Sequence, residues 1–268
     1  MAHRTRFGIY KGAGDSQILL DIVKYSIEHH SMELIDRRKR RFKDGCYGEL
    51  AKIGGALASP KRLELLDLLS QSERTVEALA KETAMGVANT SQHLRILENA
   101  RLVEARKEGR FAIYRLADPL VADFFRAYRL LGEDRLAEIQ RVRERFFGGG
   151  QDVYSVDREG LLRRVHAGEA VVIDVRPSKE YDTAHIAGAM SVPLQQLEER
   201  LEELPRDKNI VAYCRGPYCV LASEAVELLA ARGFQAFRLE DSVHDWQARG
   251  LPIETGKQPS AGPRSESA

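Results

Sequence analysis

Apolar residues recur at helical spacing along most of the first 147 positions and alternate, as in a strand, in one place only. From Tyr47 onward, Leu50, Ile53 and Leu57 fall on one helical face. Ser59-Pro60 then reads as an N-cap with proline at the first helical position, followed by Leu63, Leu66 and Leu69 with Leu65 and Leu68 beside them. Thr75 caps a third helix that carries Val76, Leu79 and Ala80 and ends near Met85-Gly86. A fourth, from Val87 to about Ala100, turns Leu94 and Leu97 inward and leaves Asn89, Ser91, Gln92 and Arg95 on its other face. The alternating segments 102–106 and 111–116 flank Lys107-Glu108-Gly109-Arg110 and predict a hairpin with a basic tip. Two helices about a tight turn, followed by such a hairpin, predict a winged helix-turn-helix.

Pro119–Phe147 predicts one long helix capped by Asp118. Leu120, Phe124, Tyr128 and Leu131 form one stripe on it; Leu136, Ile139, Val142 and Phe146 form another. A small winged helix cannot cover that much apolar surface alone, so this segment is expected to dimerise. After Gly148-Gly149-Gly150 the pattern changes. Strand signals at 154–155, 171–174, 210–213 and 235–239 alternate with helix signals at 158–166, 194–204 and 220–232. That order predicts an α/β domain with a mostly parallel sheet.

Composition narrows the setting. A 268-residue chain has room for two domains, and 43% hydrophobic with 30% charged residues is ordinary for a globular protein. No apolar run approaches the roughly 20 residues of a membrane-spanning helix, so no membrane partner is expected. Three cysteines make no disulfide framework, which fits a reducing cytoplasm. The net charge of +1 is unevenly spread: residues 32–147 hold 23 Lys+Arg against 18 Asp+Glu, and residues 148–268 hold 14 against 19. The first half is therefore the one expected to meet an anionic polymer. The basic run Arg37–Arg41 reads most simply as a solvated helix face.

Candidate chemistry concentrates at Cys214-Arg215-Gly216-Pro217-Tyr218-Cys219, where a strand-like run ends and a helix pattern begins. Ligands of parallel sheets bind at the carboxyl ends of the strands, and open N–H groups at a helix start favour a thiolate over a thiol. Cys214 is thus the expected nucleophile. A phosphatase would need a longer loop ending in arginine, and the seventh position is Val220. Two cysteines without a nearby histidine make half a zinc site, so neither metal nor cofactor is expected.

Two resemblances give these patterns a function. Leu57-Ala58-Ser59-Pro60-Lys61-Arg62-Leu63, Asn89-Thr90-Ser91-Gln92-His93-Leu94-Arg95-Ile96-Leu97 and the wing Glu108 to Leu116 resemble the ArsR/SmtB family of bacterial repressors. The resemblance implies a homodimer on a pseudo-palindromic double-stranded operator. Asn89, Ser91, Gln92 and Arg95 would lie in the major groove, with Lys107 and Arg110 of the wing on the backbone or minor groove. Many members sense metals through a cysteine pair on the helix before the turn; Thr75–Met85 contains no cysteine, and Cys46 stands alone upstream.

In the second half, Val172-Ile173-Asp174-Val175-Arg176 with Glu180-Tyr181, then His185-Ile186-Ala187-Gly188-Ala189, the cysteine loop and Leu239-Glu240-Asp241-Ser242 with Trp246 resemble a single rhodanese domain. This implies that Cys214 takes up sulfane sulfur as a persulfide from thiosulfate, polysulfide or a persulfide donor. Two departures stand out. Pro217 and Cys219 occupy the fourth and sixth loop positions, leaving Arg215 as the only loop cation, and Glu240-Asp241 replace a usual Gly-Gly. Arg176 and Glu180 are expected to form an orienting ion pair near Asp174; Cys219 is either a packed helix-start residue or a resolving thiol.

The expected organisation is an N-terminal extension (1–31), a winged helix-turn-helix with its dimerisation helix (32–147), a Gly-rich linker (148–153), a rhodanese domain (154–254) and a tail (255–268). The leading expectation is a repressor whose operator binding responds to sulfur at Cys214. A sulfurtransferase that merely autoregulates, or a metal-responsive repressor using Cys46, are the alternatives.

Overall fold

The computed structural model describes residues 14–147, 155–156 and 158–257; the expected Gly-rich linker and most of the tail lie outside them. Contacts divide the chain into a unit up to Gly55 and a second unit from Ala56 onward. The described residues of the first lie in one helix, α1 (Gly14–Leu57), 44 residues long. Residues 14–31 of the expected extension and the helical face expected from Tyr47 belong to this one helix. Leu50, expected on a buried face, is 61% exposed, and Tyr47 and Phe42 are exposed as well. Cys46 is exposed as well.

The second unit opens with α2 (Pro60–Gln71), β1 (Arg74–Thr75), α3 (Val76–Glu82) and α4 (Val87–Asn99), followed by β2 (Val103–Glu108) and β3 (Phe111–Leu116). Leu65, Leu66, Leu79, Leu94 and Leu97 are its buried centre. The Thr75 side chain caps α3 by accepting from Ala78 N at 3.2 Å. β2 and β3 pair antiparallel around Gly109, which sits at φ +59, the left-handed conformation a tight hairpin needs. Arg101, where α4 exits, adopts φ +58, a position that glycine fills more easily. The predicted long helix is two: α5 (Pro119–Arg135) and α6 (Ala137–Phe147). They break at Leu136, which is extended, and Gly132 leaves room for Ile139 to pack 3.5 Å from where a Cβ would stand.

The α/β part comprises β4 (Ser155–Val156), α7 (Arg158–His166), β5 (Ala170–Asp174), α8 (Ser178–Thr183), β6 (His185–Ile186), β7 (Met190–Ser191), β8 (Asn209–Tyr213), α9 (Leu221–Ala231), β9 (Ala236–Leu239), α10 (Val243–Gln247) and β10 (Ile253–Glu254). Its five-stranded sheet runs β4-β9-β8-β5-β7, all parallel, with β8 in the centre. Ile210 and Ala212 face one buried cluster with Val226 and Leu229; Val211 and Tyr213 face the other with Leu161 and Trp246. Burial on both faces explains the unbroken apolar run of β8. The helix expected over 194–204 is two 3-10 segments, Leu194–Gln196 and Glu198–Glu203.

Candidate functional site

β8 delivers the chain into the loop 214–220 at the carboxyl edge of the sheet, and α9 leaves it. No side chain caps α9. The two sulfurs stand in: the N–H of Leu221 points to Cys219, and that of Ala222 to Cys214. Gly216 N–H also points to the Cys214 sulfur and Arg215 N–H to that of Cys219. Gly216 adopts φ +123, and a Cβ there would meet Ser242 at 3.4 Å, so the tight bend requires glycine.

The two thiols differ sharply. Cys214 is 2% exposed. Burial, then its hydrogen bond to Cys219, pushes its thiol well above the ordinary value despite the N–H groups aimed at it. Its Sγ–H donates to the Cys219 carbonyl at 3.5 Å. Cys219 is half-buried, and the hydrogen bond from Cys214 brings it down to about 7 against the pull of burial. The N–H field expected to favour a thiolate at Cys214 is opposed there by burial, while Cys219 is brought down by its neighbour. The sequence places both sulfurs in the loop; only the packing around them makes their surroundings unequal.

Arg215 is bound on both edges. Its Nε donates to Glu180 Oε2 at 3.0 Å and its Nη2 to Glu180 Oε1 at 2.7 Å. Nη1 donates to Oε2 of Glu82, in α3 of the winged helix, at 2.9 Å. Arg74, also from the winged helix, pairs with Glu180 and lies 3.7 Å from Glu82. Two arginines and two glutamates thus form a lattice across the domain boundary, with Glu180 fully buried and the Glu82 side chain 33% exposed. Glu180 is held below the usual carboxylate range by Arg215, Arg74 and Arg176 although burial opposes this.

The expected Arg176–Glu180 pair is not formed. Arg176 is bonded instead to Asp174, through Nε at 3.0 Å and Nη2 at 2.6 Å, and through Nη1 to Gln71 of α2 at 2.9 Å. Asp174 also accepts from the Tyr213 hydroxyl at 2.6 Å. A fork of donors two residues from a carboxylate satisfies it locally, which frees Glu180 for Arg215. His185, stacked on Tyr181 with ring centroids 3.6 Å apart, is structural.

One departure from the rhodanese pattern, Glu240, also lies on this boundary, with other residues of the second domain beside it. Glu240 accepts from Arg143 of α6 at 2.7 Å. Asp245 accepts from Arg126 at 2.9 Å and Arg129 at 2.6 Å, both on α5. Tyr218 hydrogen-bonds to Glu133 of α5. Asp241, by contrast, binds Arg158 within its own domain.

A cavity of about 20 Å³ lies between the domains, lined by Asp67, Gln71, Phe125, Arg129, Arg215 and Tyr218 among others. Burial raises the Asp67 carboxyl to about 6, although Arg129 and Arg215 pull it down. The folded chain therefore keeps a proton that the unfolded chain loses near 3.8, and stability falls as pH rises through 6. Asp67→Asn should stabilise the protein by about 1–3 kcal/mol at pH 8 and leave it unchanged near pH 3.5. Guanidinium unfolding at the two pH values measures this.

On the winged helix, Asn89, Gln92 and Arg95 of α4 and Lys107 and Arg110 of the wing are exposed. Ser91 is half-buried and its hydroxyl donates back to Val87 O at 2.9 Å, so it offers less to a ligand than its neighbours. Among the described residues no three His, Cys, Asp or Glu side chains gather as a metal site, and no helix is long and apolar enough to cross a membrane. Glu82, Arg74, Gln71 and Asp67 escaped the sequence reading. The sequence signal pointing to such partners was the unusual residue Glu240, which bonds across the boundary.

A model of the arsR family of bacterial regulatory proteins matches residues 59–105, and a rhodanese-like domain model matches residues 157–249. An HTH-type transcriptional regulator from Mycobacterium tuberculosis is 42% identical over 208 residues, which cover 78% of this chain and 91% of that protein. A sulfurtransferase from Allochromatium vinosum is 29% identical over 103 residues, 38% of this chain and 94% of that one. Among solved structures, a homodimeric winged helix-turn-helix DNA-binding domain from Mycobacterium bovis, a possible ArsR-family regulator, is 40% identical. It covers 35% of this chain and 87% of that chain, with a TM-score of 0.34.

Proposed function

The chain belongs to the ArsR family of bacterial transcriptional regulators and carries a C-terminal rhodanese-like domain; from this we propose that sulfane sulfur taken up at the Cys214–Cys219 loop weakens its binding to an operator. The observation that carries the proposal is the bond from Arg215, inside the sulfur loop, to Glu82 of the DNA-binding domain. The Cys219 thiolate attacks the outer sulfur of a hydropersulfide donor; a new S–S bond forms, the donor's S–S bond breaks, and its inner sulfur leaves and takes the outer sulfur's proton, giving a free thiol and a persulfide anion on Cys219. In a second exchange Cys214 gives its proton to the departing Cys219 sulfur and takes the outer sulfur, so one persulfide anion and one thiol stand on each side. The anion rests against the N–H groups of Gly216 and Ala222 and competes with Glu82 for Arg215.

DNA is met by Asn89, Ser91, Gln92 and Arg95 with Lys107 and Arg110, in a homodimer. The exposed apolar stripe through Leu120, Leu131, Val142 and Phe146 supports the second copy.

The test uses a duplex selected from random DNA by the reduced full-length protein. Inorganic polysulfide should weaken binding by about tenfold or more, within the range of allosteric couplings, and dithiothreitol should restore it. In Arg215→Ala the change should shrink below about twofold, because the connection to α3 is cut. Release that persists when both Cys214 and Cys219 are replaced by serine would sink the proposal.

A further inference from the structure

Resting on the sulfur-loop reading above, we propose that Glu82, a residue of the DNA-binding domain, sets the donor class of the sulfur site. It admits singly charged or neutral hydropersulfides and turns away dianionic thiosulfate. The only loop cation that could attract thiosulfate is Arg215, and its guanidinium is already bound on both edges by Glu180 and Glu82. With Arg74 included, the lattice holds two positive and two negative groups and presents no net charge to an anion. Glu82 is its most accessible member, so it is the one whose charge can be removed with least damage to the fold.

Both donors undergo the same step. With thiosulfate, the Cys219 thiolate attacks the sulfane sulfur, the S–S bond to the sulfonate breaks, and sulfite leaves with the bonding pair. With an alkyl hydropersulfide the leaving group is the alkyl thiolate. The donors differ in approach: thiosulfate brings two negative charges into a buried, electrically neutral lattice, whereas the hydropersulfide brings one or none.

The experiment follows persulfide formation on the full-length protein by mass spectrometry, with thiosulfate and with an alkyl hydropersulfide as probes. Wild type should load readily from the hydropersulfide and slowly from thiosulfate. Glu82→Gln, which leaves the lattice one positive charge, should speed loading from thiosulfate about tenfold while changing the hydropersulfide rate less than about twofold. Glu82→Asp should return discrimination toward wild type. Equal thiosulfate rates in wild type and Glu82→Gln would overturn the inference, as would acceleration of both donors alike. Failure of wild type to load from either donor would instead sink the reading of the loop itself, and this inference with it.

Discussion

Replacing Arg176 by methionine should destabilise the protein by about 3–5 kcal/mol, since it leaves a buried carboxylate without its cation. Arg176 is 1% exposed and Asp174 is fully buried. Methionine keeps much of the side-chain volume, so the loss reports charge more than packing. The Arg176 side chain also donates to Ala184 O at 2.8 Å and to Gln71 of the winged helix, so the damage should reach both domains. Urea unfolding followed by circular dichroism measures the loss. Combining Arg176→Met with Asp174→Leu should recover much of it, because removing both charges avoids an unpaired one. A double variant as unstable as the single would show that shape, and not charge, is what this pair supplies.

Cys219→Ser should slow sulfur loading at pH 7 by at least about tenfold. At that pH a thiol titrating near 7 is about half ionised, whereas burial keeps Cys214 in its protonated form. The more basic thiolate is the better nucleophile, which offsets part of that difference. The 2% exposure of Cys214 then works against it a second time, by limiting access. The rate in wild type should rise with pH to half its plateau near pH 7. Cys214→Ala, which deletes the S–H donor that lowers Cys219, should move that midpoint upward. Stopped-flow loading from a hydropersulfide across pH 5.5–9 reads both effects; a midpoint unmoved in Cys214→Ala would show that the two sulfurs titrate independently.

The regular elements were legible because each is dictated by neighbours close in sequence. The periods of α2 to α4, the Thr75 and Asp118 caps and the buried run of β8 need only local geometry to be read. Errors fell where long-range packing overrides local pattern. Leu50, Ile53 and Leu57 look like one buried face, yet α1 leaves Leu50 exposed and Ile53 half-buried, and only Leu57 is buried. The stripe of Pro119–Phe147 is continuous in sequence, but an extended Leu136 folds it into two helices. The Arg176–Glu180 expectation failed for the opposite reason: the nearer carboxylate, Asp174, two residues away, takes the guanidinium.

By itself, the sequence determined that a winged helix-turn-helix precedes a parallel α/β domain, and that two sulfurs and one arginine share the loop at the carboxyl edge of its sheet. These follow from side-chain periodicity and from the order of residues along a single turn. Only the tertiary structure decided how deeply each sulfur is buried and where Arg215 points. Both are matters of packing and electrostatics in a buried space. Desolvation of Cys214 depends on what packs over the loop, and the partners of Arg215 come from Glu82 and Glu180, far apart in the chain and distant from the loop they neutralise.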